Sequence, residues 1–219
     1  YSLLHAPYPI VVDGGNVGEI DFKSAYLADV HATINGKAAH SGIEPEKGIS
    51  AIQIAAVAIS KMKLGRIDQD TTANIGLIRG GSIRNAIPAQ VKLHGEARSF
   101  SKRKIEDQLE RMYKALQDAC EQYGGLLDIN SKVILDGYTI KKSHPLLKRI
   151  MATMTSLAMK PKLMTTIGAS DANSFMKHGI ISAVIGTGVQ MPHTVEERIR
   201  ITDLAVTTRF IYQLVTTWK

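Results

Sequence analysis

Residues 26–62 read YLADVHATINGKAAHSGIEPEKGISAIQIAAVAISKM, and this stretch decides the fold. Apolar and polar residues alternate through 26–35, the period of a strand with one wet face. Apolar positions Ile49, Ile52, Ala55, Ala56 and Ile59 then recur at helical spacing, which predicts a helix over 47–63. Between the two lies a loop of small residues, where His40 stands among Ala, Ser and Gly with little to pack against.

Two more strands are expected at 71–80 (TTANIGLIRG) and 89–99 (AQVKLHGEARS), joined by GSIRNAIP, a linker too long for a tight hairpin. A long amphipathic helix is expected at about 101–123, with Ile105, Leu109, Met112, Leu116 and Cys120 on one stripe. The pair Gly124–Gly125 ends it, and a fourth strand is expected at 131–138. The order β-α-β-β-α-β is the split, ferredoxin-like arrangement. It defines a domain over 23–139.

On either side of that domain the pattern changes. HPLLKRIMATMTSLAM predicts a helix at about 144–159; the short strands KLMTT and ISAVIG alternate with helices at about 171–178 and 202–217. This is α/β layering with crossover connections. YPIVVDGG near the start reads as a buried strand ending in a turn, so residues 1–22 join 140–219 in one outer α/β domain into which the ferredoxin-like domain is inserted. Two short strands and three helices make an incomplete sheet, so the chain is expected to be the later part of a longer polypeptide.

Bulk composition narrows the function classes. Of the 219 residues 44% are hydrophobic and 21% charged, the balance of a globular protein with a sizeable core. The net charge is +7, yet Lys and Arg are scattered, the densest run being SKRK at 101–104, and aromatics are only 5%. Nucleic-acid binding is therefore not expected. No apolar run approaches the roughly 20 residues that span a bilayer, no membrane partner is expected, and cytoplasm is the expected compartment. The single cysteine, Cys120, excludes an internal disulfide and any cysteine-based zinc site, and its place on an apolar stripe makes it a buried thiol.

Residues able to carry chemistry are few. Asp13 follows an apolar strand and precedes two glycines; a metal-binding carboxylate fits there, as does an ordinary turn-opening Asp. His193 lies in the irregular loop GTGVQMPHTVEE, suited to metal binding, to acid–base work, or to plain solvent exposure. Gly168, Ala169, Ser170 and Asp171 form a strand-to-helix turn, which suits either a helix cap or a helix N-terminus facing an anionic substrate. Arg98 ends a strand where a guanidinium pairs bidentately with a carboxylate, or merely decorates the surface.

In their order and spacing the segments VDGGNVGEI, GKAAHSGIEPEKGISAI, NIGLIRGGSIRNAIPAQVKLHGEARS, IGASDANSF and GTGVQMPHTVEE resemble the co-catalytic zinc peptidases. That family includes peptidase T, bacterial glutamate carboxypeptidases and aminoacylases, and VDGG and GEI look most like the peptidase T (tripeptidase) branch. The resemblance implies a zinc-binding catalytic domain with an inserted lid through which two copies pair as a homodimer. It implies two zinc ions per complete chain, with cobalt or manganese as alternatives, Asp13 as ligand to one and His193 to the other. His40 would polarise the scissile carbonyl of a short peptide substrate, often across the dimer. Asn85 and Arg98 would hold the substrate, Arg98 by its carboxylate, and Gly168–Asp171 would line the pocket. The family's His-x-Asp pair, bridging aspartate and Glu-Glu general base have no counterparts here, and Glu196 and Glu197 do not match the base. The expectation is a metallopeptidase incompetent as this chain alone. Its alternatives are an amidohydrolase acting on N-acyl amino acids and a non-catalytic dimerisation module.

Overall fold

A computed structural model describes residues 8–218. Residues 1–7, assigned with 8–22 to the outer domain, lie outside the described residues. In chain order the elements are β1 (Ile10–Val12), β2 (Glu19–Ser24), β3 (Tyr26–Asn35), a single tight turn of helix (Pro45–Lys47), α1 (Ala51–Lys61) and β4 (Gly65–Arg66). They continue with β5 (Thr71–Gly80), β6 (Gln90–Ser99), α2 (Lys102–Tyr123), β7 (Leu126–Leu135) and β8 (Tyr138–Thr139). The chain closes with α3 (Pro145–Ser156), β9 (Lys162–Thr166), α4 (Asp171–Lys177), β10 (Ala183–Ile185) and α5 (Ile201–Thr216). These sort into two compact units, Tyr26–Leu135 and the flanking Tyr1–Ala25 with Asp136–Lys219.

The unit Tyr26–Leu135 is an antiparallel sheet of order β4-β5-β6-β3-β7, the strand order of a ferredoxin-like fold. Its strands pleat as alternation dictates. On β3, Ala28, Val30, Ala32 and Ile34 are buried, and on β6 Val91, Leu93, Gly95, Ala97 and Ser99 are buried. That face is covered by α1 and α2, and the opposite face stays wet. Helix α2 starts where Ser101 accepts a hydrogen bond from the Lys104 amide and ends at Gly124, whose left-handed backbone a side chain would strain. Cys120 is buried on its inner stripe, and burial pushes the thiol above its ordinary pKa, which keeps it unreactive.

Two expectations need correcting here. Helix α1 begins at Ala51, capped by Ser50, and buries Ala51, Ile54, Ala55 and Ala58, while Ile52 is 44% exposed. Apolar residues run almost all round this helix, so periodicity alone picks the wrong stripe. The strand expected at 131–138 is β7, which starts at Leu126 directly after the glycine turn and pairs with β3 from Asn35↔Leu126 to Leu27↔Leu135. As an edge strand it half-buries only alternate residues, and Asp128 and Asn130 on the wet positions disguise its first half.

In the flanking unit, β1 pairs in parallel with β10, β10 and β8 each pair antiparallel with β2, and β9 runs parallel to β2. The strand β2 was not anticipated: EIDFKS alternates three charges with Ile, Phe and Ser. Ile20, Leu146, Leu147, Ile150, Val184 and Phe210 build the core between this sheet and α3 and α5. Among the described residues no helix is long and apolar enough to cross a membrane.

Candidate active site

The loops that follow β1, β9 and β10 converge on one cavity of about 460 Å³, within the flanking unit. Asp13 enters it from the end of β1, Gly168, Ala169 and Ser170 from the turn after β9, and His193 from the long loop after β10. Five of the nine residues singled out from sequence thus share one wall. Asp171 does not line it; it is the first residue of α4.

Each of these positions is held by backbone chemistry. The Asp13 amide donates to Ile185 O at 3.1 Å, while Thr187 and Gly188 donate to Gly14 O and Gly15 O at 2.8 Å each, lacing the β1 and β10 loops together. Gly188 sits at φ +88°, and a β-carbon there would lie 2.8 Å from the Asp203 side chain, so the lacing demands glycine. The Ser170 hydroxyl caps α4 by accepting from the Ala172 amide at 3.3 Å, and buried Asn173 answers by accepting from the Ser170 amide at 3.1 Å. Ser170 is therefore a cap as well as a wall of the cavity.

The His193 loop closes at its base where Gln190 and Arg198 exchange backbone hydrogen bonds of 2.8 and 3.1 Å. His193 itself adopts φ +65°, an unusual conformation outside glycine, and its amide donates to Glu197 Oε2 at 2.8 Å. Glu197 thereby pins the loop that presents the imidazole.

One ionisable cavity residue escaped the sequence reading. Asp21 reaches the cavity from β2, and its carboxyl is pushed up to about 6, first by burial and then by the negative charges of Glu19 and Asp13. The only hint in the sequence is an acid alternating with apolar residues in EIDFK; Glu19 and Asp13 are close in sequence, but the burial that leads the shift exists only in the folded sheet.

The remaining three candidates lie in the Tyr26–Leu135 unit. His40 is braced rather than loose. Its backbone bridges Ala86, the Ser41 amide donates to Asn85 O at 3.0 Å, and its ring Nδ1 accepts from the amides of Gly42 and Ile43 at 3.2 Å. With Nδ1 accepting, the neutral ring carries its proton on Nε2 and offers it outward as a donor. Asn85 is placed beside His40 by this pairing and is exposed. The Arg98 guanidinium is gripped by both oxygens of Glu96, at 2.9 and 3.0 Å.

The donor types in the cavity (carboxylates of Asp13, Asp21 and Glu197 and the imidazole of His193) suit a divalent cation. Their spacing gives no closed ligand set. Among the described residues, three potential ligands with donor atoms within 4.8 Å of one another occur at Asp29, His31 and His94, on the other unit.

Residues 24–124 match the family model described as the peptidase dimerisation domain. Over 98% of its length the chain is 36% identical to aminopeptidase PepT from Bacillus cereus, with a TM-score of 0.86, and 31% identical to a tripeptidase from Staphylococcus aureus, with a TM-score of 0.92. The chain belongs to the M20 peptidase family, among its peptidase T-like members. It is also 37% identical over 215 residues to the Bacillus subtilis protein YqjE. This M20 chain spans 58% of the YqjE and PepT chains and 57% of the tripeptidase chain.

Proposed function

We propose that this M20 chain is the part of a zinc-dependent aminopeptidase, of tripeptidase type, that carries one ligand for each of two metals, the pocket loop and the lid. The observation that supports this reading is the single cavity joining Asp13, His193 and Gly168–Ser170. Zinc, where bound, supplies Lewis acidity toward a peptide carbonyl and a bound water. Asp13 and His193 contribute one donor each to that task, and Glu197 keeps the His193 loop in place. His40 donates a hydrogen bond from Nε2 to the oxygen that gains charge, an effect worth roughly 3–4 kcal/mol for one good donor. Arg98 takes up the peptide's carboxylate by exchanging it for Glu96, and Asn85 orients the same end.

Among the described residues the donors of the Asp13–His193 cavity form no closed ligand set, so we infer that the chain does not turn over substrate alone. The lid, matched by the dimerisation model, pairs two copies. The compartment we assign is the cytoplasm.

The test is hydrolysis of tripeptides and of N-acyl amino acids by a longer protein containing this sequence, loaded with zinc. Release of the N-terminal residue from tripeptides, lost about 100-fold or more in His193→Ala, is the expected result. Turnover of N-acyl amino acids alone would move the assignment to an amidohydrolase. Turnover of neither would leave a dimerisation module and overturn the peptidase reading.

A further inference from the structure

The open face of the ferredoxin-like sheet carries a cluster that the peptidase reading does not use. Strands β3 and β6 pair in continuous register, and that register sets His31 directly opposite His94. Asp29 lies two residues before His31 and therefore on the same face. The two imidazoles stack with centroids 3.8 Å apart and planes 28° from parallel. Asp29 lies between their inner nitrogens: Oδ2 is 2.7 Å from His31 Nε2, and Oδ1 is 2.7 Å from His94 Nε2.

An ordinary surface ion pair joins two groups and holds them loosely. Here two rings and one carboxylate aim their donor atoms at a single spot, all within 4.8 Å of one another. Ten consecutive register pairs between β3 and β6 fix the backbone beneath them, so little movement is needed to draw the donors around an ion. The two imidazole nitrogens and the carboxylate oxygen form the donor set that zinc and its neighbours in the transition series prefer.

The surroundings leave room for the rest of a coordination shell. Beside His94, β5 inserts an extra residue, Gly76, between the partners of Gly95 and His94. The bulge opens a depression of about 190 Å³ whose wall includes Asp29, His94, Asn74 and Glu96. Side-chain exposures of 54% for His31, 44% for His94 and 26% for Asp29 leave the cluster accessible from water. Burial pushes the Asp29 carboxyl up, but hydrogen bonds from His94 and His31 outweigh it and hold the group below its ordinary range. Lys132 stands opposite Asp29 on β7 and Glu96 opposite it on β6, so the flanking charges are of both signs.

We propose that Asp29, His31 and His94 form a surface site for one divalent transition-metal ion, zinc foremost, with its open positions facing the Asn74–Glu96 depression. The site is independent of the Asp13–His193 cavity and of the peptidase reading. Its free coordination positions take water or a small anionic ligand.

The test uses the full chain and zinc alone, titrated against a chromophoric chelator. Asp13→Ala with His193→Ala removes the imidazole and one of the three carboxylates of the other cavity, leaving Asp21 and Glu197 there without a nitrogen donor. That double variant is expected to bind one zinc, and adding His94→Ala is expected to weaken binding at least about tenfold. In the unsubstituted chain, the ring nitrogen resonances of His31 and His94 are expected to move on adding zinc. No zinc bound by the double variant, an affinity unchanged by His94→Ala, or unmoved ring resonances would each overturn the proposal.

Discussion

At the scale of single residues, Asp21 is the one whose environment makes the sharpest claim. Its carboxyl titrates at about 6 in the folded chain against an ordinary value of 3.8. The folded state therefore holds a proton between these values that the unfolded state has released. Stability falls as pH rises through that window, and the cost above it is on the order of 2 kcal/mol. Asp21→Asn is expected to stabilise the metal-free chain at pH 7–8 by about 1–2 kcal/mol and to make almost no difference at about pH 3, below both values. Urea denaturation with a chelator present, at both pH values, checks this; a variant less stable than the parent at pH 8 would contradict it. Asp13 and His193 were recognisable in the sequence as candidates because turn and loop residues surround them, although their roles rested on the family resemblance. Asp21 was not, because what perturbs it first is burial, which exists only in the folded chain, with the nearby charges of Glu19 and Asp13 adding to it. The same holds for His31 and His94, whose pairing is a matter of register that no local pattern reveals.

Among the elements, α1 separates what composition tells from what packing decides. Its sequence is apolar on most sides, and the stripe through Ile52 fits helical spacing as well as the one through Ile54. Structure chooses Ile54, which is fully buried. Ile54→Ala is expected to cost about 2–5 kcal/mol, and Ile52→Ala within about 0.5 kcal/mol. Thermal or denaturant unfolding of both variants distinguishes the faces, and equal losses would mean that the helix is rotated. Strands β3, β5 and β9 were legible to the residue because each alternates or is bounded by turn residues. Strand β7 was displaced in the reading because an edge strand needs only one half-buried stripe.

For the molecule as a whole, both units leave apolar side chains exposed, but the flanking unit gathers most of its own on one helix. In the Tyr26–Leu135 unit two helices close over one face of a five-stranded sheet. In the flanking unit, α5 leaves Ile201, Leu204, Tyr212 and Val215 exposed by 85, 53, 71 and 67%. A few hundred Å² left uncovered forfeits several kcal/mol at about 25 cal/mol per Å², comparable to a domain's whole stability. Amide hydrogen exchange is expected to find β3 and β6 protected well beyond β1, β10 and α5. Equal protection in the two units would refute that ranking.

The register at the seams has a consequence for how such a chain can be cut. Within the ferredoxin-like unit the first and last strands meet at Leu27↔Leu135, and within the flanking sheet Ser24 faces Tyr138 across an antiparallel pair. The whole of 25–137 therefore occupies the place of a hairpin turn. Swapping it for a two-residue Asn-Gly link would rejoin β2 to β8 without altering their pairing. Topologically the lid is a detachable cassette, the kind of module that one scaffold can gain, lose or exchange in a single genetic step.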